Sequence, residues 1–344
     1  MTQTLLIRTD GSSQIGTGHV MRCLTLAQAW YQTGGTVRFV GGDIPNGLRD
    51  RIDEWSQEMD FLNSLPGSQE DAARTAAIAV EHDVEWIVVD GPHFDADYLT
   101  KLNAGDYRVL LIDDMGERSH YGTDLVLNQN LHADPEMYIN RDPETELLLG
   151  PDYVLFRNEF LKWKDWSPDP TQAPERLLVT LGGSDPDNAT KTVVKALNYV
   201  TTELETLVII GAANDSYPEL VDLAEDINHP IRFEQNISNM ASQMARADLA
   251  VSSGGTTCWE LAYMGVPTIV GTLTPIEEHL VAGLKDFGLF SHIGDFKSAT
   301  GPEIANLIIH MINCSKYRTQ MSLIGQKIID GQGRQRTVKK MREF

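Results

Sequence analysis

Leu5-Leu6-Ile7-Arg8-Thr9-Asp10-Gly11-Ser12-Ser13-Gln14-Ile15-Gly16-Thr17-Gly18-His19, followed by the apolar-periodic stretch Val20 to Trp30, is the segment that decides the fold. A short apolar strand runs into a small-residue loop and then into a helix, which is the opening βα unit of a doubly wound sheet. The glycines allow a sharp turn and a close approach of backbone to ligand. The start of the helix offers unpaired N–H groups and the positive end of its dipole, a natural seat for an anion. The same dipole favours the neutral imidazole of His19, a form that can act as a base. A phosphate-bearing substrate handled beside a histidine is the chemistry this segment suggests.

The pattern repeats along the chain. Apolar, β-branched runs occur at 5–8, 37–40, 86–90, 109–113 and 125–127, and again at 177–181, 207–210, 231–233, 249–251 and 268–270. Such runs, bounded by Gly, Asp and Asn, read as strands buried on both faces of a parallel sheet. Helical spacing lies between them, as at Val193, Ala196, Leu197 and Val200. The expected class is α/β with two Rossmann-like domains. Trp166-Ser167-Pro168-Asp169-Pro170-Thr171-Gln172-Ala173-Pro174 can continue neither a helix nor a central strand and reads as a linker. This gives an N-terminal domain over 1–165, a linker over 166–175, a C-terminal domain over 176–325 and a terminal helix over 326–344 packing back on the first domain. Ligands of open α/β sheets bind at the carboxyl ends of the strands, so both domains' loops are expected to line a shared cleft.

Composition narrows the partners. With 28 Lys and Arg against 49 Asp and Glu, the net charge of −21 lacks the basic footprint that nucleic acid requires. Backbone amides can still bind an anion on an acidic protein. Leu5-Leu6-Ile7 is too short for a signal-peptide core and no apolar run reaches membrane-spanning length, so a cytoplasmic protein with no membrane insertion is expected. Cys23, Cys258 and Cys314 lack metal-ligand spacing; Cys23 and Cys258 read as buried thiols in apolar helices.

Ser252-Ser253-Gly254-Gly255-Thr256-Thr257-Cys258-Trp259-Glu260-Leu261 is a second strand–loop–helix unit. Amides at that helix start suit a diphosphate. Glu260, about one turn in, could accept from a ribose diol or merely complement the helix dipole. Gly182-Gly183-Ser184-Asp185 follows the first strand of the second half, where Gly183 and Ser184 could face the same ligand. Ile237-Ser238-Asn239-Met240 starts a helix where main-chain contacts of Ile237 and Met240 to a base are expected. Asp10 could orient His19 or a water, or bond its own turn. Arg22, one turn after His19, could reach a diphosphate or sugar carbonyl, or pair along its helix face. His93, Glu278 and His279 lie at loop or helix-start positions that could face the ligand; ordinary surface roles are the alternative for the two histidines. Asp113-Asp114 raises a metal reading, but no further acidic partner is evident.

The second-half pattern resembles the donor-binding segment of GT-B glycosyltransferases, including the peptidoglycan transferase that uses UDP-N-acetylglucosamine. Arg8 through Leu24 resembles a narrower group, the UDP-2,4-diacetamido-2,4,6-trideoxy-β-L-altropyranose hydrolases of pseudaminic acid biosynthesis. Leu149-Gly150-Pro151-Asp152-Tyr153 with Arg157 and Phe160, Leu181 to Asp185, and Asp330-Gly331-Gln332-Gly333-Arg334-Gln335-Arg336 extend the resemblance over nearly the whole chain. It implies a GT-B fold, a base at His19, a ribose contact at Glu260, a sugar side at Gly16, Thr17 and Gly18, and a diphosphate side at Ser253, Gly254, Gly255, Thr256 and Thr257. It also implies no metal or other cofactor and a UDP-sugar substrate; we further expect a monomer, with a place in flagellin or surface-glycan synthesis. A transferase of the same fold, a hydrolysing 2-epimerase and a non-catalytic nucleotide-sugar-binding protein are the alternatives. Two positions depart from the family. Gly91-Pro92-His93-Phe94 stands where a His-Tyr or similar aromatic pair is usual, and Thr274-Pro275-Ile276-Glu277-Glu278-His279 where Asn-Gln is usual. Both bear on the sugar more than on the nucleotide.

Overall fold

A computed structural model describes residues 3–12, 15–42, 44, 46–56, 58–183, 185, 187–211, 214, 216–235, 237, 239–284 and 287–344, with residues 46, 47 and 58 as backbone only. The chain divides into two compact units, Met1–Ser12 with His19–Asn158 and Gln332–Phe344, and Ser13–Gly18 with Glu159–Gly331. The proline-rich run 166–174 belongs to the second unit, and the C-terminal helix Gly333–Glu343 to the first.

The first unit is built on β1 (Thr4–Thr9), β2 (Thr36–Gly41), β3 (Glu58–Phe61), β4 (Val84–Asp90), β5 (Arg108–Ile112), β6 (Leu125–Asn128) and β7 (Glu146–Leu149). Their order is β3-β2-β1-β4-β5-β6-β7, with every neighbouring pair parallel. Successive side chains of a strand point to opposite faces, so two cores form. Leu5, Ile7, Phe39, Trp86 and Val88 pack on the helix Gly18–Gln32 through Val20, Leu24, Ala27 and Trp30. Leu6, Val40, Ile87 and Val89 pack with Phe94, Tyr98 and Leu99 on the other side. The terminal helix is fastened to this unit by Trp86 Nε1, which donates to Met341 O at 3.1 Å.

The second unit holds β8 (Arg176–Thr180), β9 (Glu205–Ile210), β10 (Ile231–Gln235), β11 (Leu249–Ser253), β12 (Thr268–Thr272) and β13 (Ser291–Asp295). The order is β10-β9-β8-β11-β12-β13, again wholly parallel. Buried Arg318 ties the proline-rich run into this unit, donating to Pro170 O (3.1 Å) and Gln172 O (2.7 Å) while its Nη1 closes the carbonyl end of the helix Gly301–Asn313.

All ten apolar runs lie on strands. The structure adds three, β3, β7 and β13, each at a sheet edge. Edge strands are covered less completely and carry more polar residues, so Glu58-Met59-Asp60-Phe61 and Ser291-His292-Ile293-Gly294-Asp295 lack the apolar run that marks a central strand. The doubly wound fold expected from the sequence is present in both halves. Among the described residues no helix is long and apolar enough to cross a membrane.

Candidate active site

The carboxyl edge of β1, β4, β5 and β6 carries a row of side-chain polar groups. Thr9 is the register partner of Asp90 and Asp90 of Ile112, so Asp10, Asp90 and Asp113-Asp114 leave the sheet from adjacent strand ends. Gly16 turns with φ of 80°, a left-handed conformation that glycine adopts without strain, and the helix follows at Gly18. Gly16, Thr17, Gly18 and His19 are all partly exposed; Ser13 and Gln14 lie outside the described residues.

His19 Nδ1 lies 2.8 Å from Asp90 Oδ1, and Asp90 is completely buried. With the carboxylate as acceptor, Nδ1 carries the proton and donates it in this hydrogen bond, which leaves the lone pair on Nε2. Nε2 has no partner among the described residues and the side chain is 19% exposed. Arg22 locks the carboxylate from behind: Nε and Nη2 donate to the two oxygens of Asp90, each at 2.6 Å. The same guanidinium donates to both oxygens of Asp114 at 2.8 Å, and Asn130 Nδ2 donates to Asp114 Oδ1 at 2.9 Å. Burial alone would raise Asp90 strongly, but the charge of Arg22 and the hydrogen bonds from Arg22 and His19 override it and hold the carboxyl far below the usual range. Asp114 is lowered by the same balance, with Arg22 outweighing burial. Burial and Asp90 push the Cys23 thiol well up, so it stays protonated in the core.

The carboxylate that receives His19 is therefore Asp90, and Asp10 sits in a neighbouring cluster. Asp10 Oδ2 accepts from Arg8 Nη1 at 2.7 Å and Oδ1 from Gly42 N at 2.6 Å. His93 Nε2 lies 3.2 Å from Oδ2. Burial opposes ionisation here too, yet His93, Arg8 and Gly42 hold Asp10 down at about 2. Arg22, read from the sequence either as a diphosphate or sugar contact or as an ion-pair partner, joins Asp90 to Asp114 and is itself buried. Asp113 and Asp114 are both engaged: Arg118 pairs with Asp113, whose Oδ2 also accepts from Tyr138 OH (3.0 Å) and Gly116 N (2.7 Å), and Arg22 pairs with Asp114.

The second unit presents backbone rather than charge. β11 ends at buried Ser253, and Gly254-Gly255-Thr256 leads into the helix Thr257–Tyr263. A Cβ on Gly254 would stand 2.5 Å from Val281 Cγ2 and 3.2 Å from Glu277 Cβ, so only glycine fits that close approach. Gly255, Thr256, Thr257 and Glu260 are partly exposed. Beneath the loop lies Glu277, whose Oε2 accepts from Leu273 N at 2.7 Å, with Ser253 and the Gly254 N–H also on the carboxylate. Burial pushes this carboxyl up despite those bonds. Burial and Glu277 likewise raise the Cys258 thiol, which donates to Ser253 O at 2.9 Å. Glu277 was absent from the sequence-based candidates, although its neighbours Glu278 and His279 were included; both of those are exposed.

Gly183 is partly exposed after β8, while Ser184 lies outside the described residues. Asp185, buried and at φ 43°, receives Ala189 N (2.8 Å) and Thr190 N (2.9 Å) and so anchors the helix Ala189–Ala196. Met240 is buried, with its N–H on Glu159 Oε1 at 3.1 Å; Ile237 is partly exposed, and Asn239 caps the helix Met240–Arg246 by accepting from Ser242 N.

Residues 177–279 match the glycosyltransferase family 28 C-terminal domain. The chain is 24% identical over 339 residues to the spore coat polysaccharide biosynthesis protein SpsG of Bacillus subtilis, covering 94% of this chain and 93% of that one. It is 26% identical over 257 residues to the UDP-2,4-diacetamido-2,4,6-trideoxy-β-L-altropyranose hydrolase of Campylobacter jejuni, covering 73% of this chain and 85% of that one. Among solved structures, MurG of Acinetobacter baumannii superposes with a TM-score of 0.66 at 15% identity, covering 99% of this chain and all of that one. The fold is GT-B, as the sequence resemblance implied, and the chain is similar to that hydrolase over most of its length.

Proposed function

We propose that this chain hydrolyses a UDP-linked diacetamido-trideoxyhexose, of the UDP-2,4-diacetamido-2,4,6-trideoxy-β-L-altropyranose kind, to UDP and the free sugar in the cytoplasm. The observation that carries this reading is the His19–Asp90 pair: an imidazole with Nδ1 fixed by a buried carboxylate and a partly exposed Nε2 that has no partner among the described residues. Water attacks the anomeric carbon as His19 Nε2 takes its proton. The bond from that carbon to the β-phosphate oxygen breaks, and UDP leaves with the electron pair. Attack from the face opposite the leaving group inverts the centre. UDP rests in the second unit, with amides of Gly255 to Thr257 on the diphosphate and Glu260 on the ribose. Diphosphate is a good leaving group, so charge stabilisation by amides suffices without a strong general acid. The name of the Campylobacter jejuni relative, which specifies this substrate, supports the choice.

His19→Ala tests the assignment. UDP release from a panel of UDP-diacetamido-trideoxyhexoses should be abolished while calorimetric UDP binding is kept; retained turnover rejects His19 as the base. A second reading, transfer of the sugar to an acceptor, draws on the family 28 match over 177–279. Steady UDP release in the absence of any acceptor decides for hydrolysis.

A further inference from the structure

The first unit contains a second imidazole built to the same plan as the first. His19 rests on Asp90, and Arg22 joins Asp90 to Asp114. His93 rests on Asp10, and Arg8 joins Asp10 to Asp71, with Nη1 to Asp10 at 2.7 Å and Nε and Nη2 to Asp71 at 3.0 and 2.6 Å. The two carboxylates leave adjacent strand ends, Thr9 being the register partner of Asp90.

Nothing in the core requires His93 at this place. Asp10 already has Arg8 and the Gly42 N–H, and Arg8 is further held by Asp71 and by the Phe94 ring 5.0 Å away. The imidazole is an added partner at 3.2 Å, with its side chain 26% exposed. The ring is nevertheless held in place, with Nε2 on Asp10 and Phe94 edge-on at 5.0 Å. Its Nδ1 has no partner among the described residues. Fixing a ring through one nitrogen while the other stays open is how a protein aims an imidazole at a ligand.

We propose that His93 is a substrate-contacting residue whose Nδ1 accepts a hydrogen bond from an N–H or O–H donor on the sugar moiety, with Asp10 fixing the ring through Nε2. This rests on the reading of the chain as a UDP-sugar hydrolase and assigns a residue that recognises the sugar rather than the nucleotide. Asp10, expected from its sequence position to serve His19, thereby acts as the positioning residue of His93.

The two nitrogens can be separated by substitution. Asparagine puts its amide near the place of Nδ1, and glutamine puts its amide near the place of Nε2. The comparison is made in a His19→Ala background, which removes the proposed base, with calorimetry of UDP and of a UDP-2,4-diacetamido-2,4,6-trideoxyhexose. His93→Gln should weaken the sugar nucleotide about five- to tenfold, the size of one neutral hydrogen bond, and leave UDP unchanged; His93→Asn should retain most of the affinity. The reverse pattern, Gln retaining and Asn losing, overturns the proposal in favour of a brace for Asp10, and so does indifference to both. A measurement without substitution at residue 93 is the ¹⁵N shift of its Nδ1, which should move with the sugar nucleotide and not with UDP; equal shifts overturn the proposal. Intact UDP binding with no dependence on His93 overturns only this inference. Absence of UDP binding overturns the nucleotide reading and this inference together.

Discussion

At the carboxyl edge of the first sheet the polar groups are side chains locked in ion pairs, whereas at the carboxyl edge of the second they are backbone groups exposed by glycines. Asp10, Asp90, Asp113 and Asp114 are held by Arg8, Arg22 and Arg118, and two histidines rest on that lattice. Around Gly254 the structural requirement is the absence of a side chain, and the carboxylate beneath the loop is pushed up rather than down. The difference fits the proposed function, in which the first edge holds a base and the second a diphosphate. A base needs one nitrogen in one orientation, and buried charges fix orientation strongly because each is costly to leave unpaired. A diphosphate needs several donors at once, which a tight loop and a helix start provide without any charged side chain.

If this contrast is right, the first edge should fail through charge. The largest effect is expected for Asp90→Asn. It keeps the shape but removes the charge that fixes the His19 tautomer, so kcat for UDP release should fall by roughly 10²–10⁴-fold. UDP affinity, which the proposed function assigns to the other edge, should stay within about twofold by calorimetry. A loss of UDP affinity comparable to the loss of kcat would break the division of labour between the two edges.

Arg22→Met comes next. It leaves Asp90 and Asp114 buried without their cation, and breaking such a pair costs about 3–5 kcal/mol, read by urea denaturation. The pH dependence has a definite sign. In the native protein both carboxyls are lowered, so their contribution is present above the ordinary carboxylate range and lost as pH falls through the depressed values. In the variant burial acts unopposed by Arg22 and both rise, so stability is favoured in acid and lost as pH increases. The gap between the two proteins should therefore be widest near neutrality and close toward low pH; a gap that stays constant with pH would show that packing, not charge, holds this edge.

The second edge should fail through volume. Gly254→Ala brings a methyl within 2.5 Å of Val281 and should cost roughly 1–3 kcal/mol, together with about a tenfold loss of UDP affinity. At Gly255 the nearest atom to a new methyl is Glu277 Oε1 at 3.5 Å, so Gly255→Ala should be nearly neutral in denaturation. Equal costs at the two positions would mean that the loop is compliant and that Gly254 has no special place in it.

These contrasts also explain what the sequence could and could not reveal. Nine of the ten runs were legible because central strands covered on both faces are nearly all apolar, and the tenth, β10, is an edge strand with enough apolar residues to show. The three further strands also lie at edges, and in β3 and β13 that pattern fades. His19 stood out because loop, helix start and residue type are contiguous. Its carboxylate did not, since Asp90 is 71 positions away and only the parallel pairing of β1 and β4 brings its strand end alongside. Asp10 was the nearer candidate in sequence, but its carboxylate turns to Arg8 and Gly42. Arg22 was legible as a neighbour of His19, yet its partners Asp90 and Asp114 lie 68 and 92 positions on. Glu277 carried no signal of its own, because a glutamate three residues after a helix-capping threonine is ordinary; what distinguishes it is the glycine loop packed above.

The smallest effect tests whether an acidic group can serve the second edge as a brace without being part of its chemistry. Asp185 binds no cation among the described residues and instead receives Ala189 N and Thr190 N at 2.8 and 2.9 Å, from a left-handed backbone with φ 43°. Asp185→Ala loses both acceptors at the start of the helix Ala189–Ala196 and should lower stability by about 1–2 kcal/mol, in the range of a lost helix cap. Asp185→Gly loses the same bonds but relieves the left-handed strain, worth about 1 kcal/mol, so it should be the milder of the two in the same denaturation series. UDP affinity should be preserved in both to within about threefold, because the carboxylate faces its own helix. If Asp185→Gly instead proves as damaging as Asp185→Ala and both weaken UDP, the carboxylate is acting on the ligand, and the second edge uses side-chain charge as the first does.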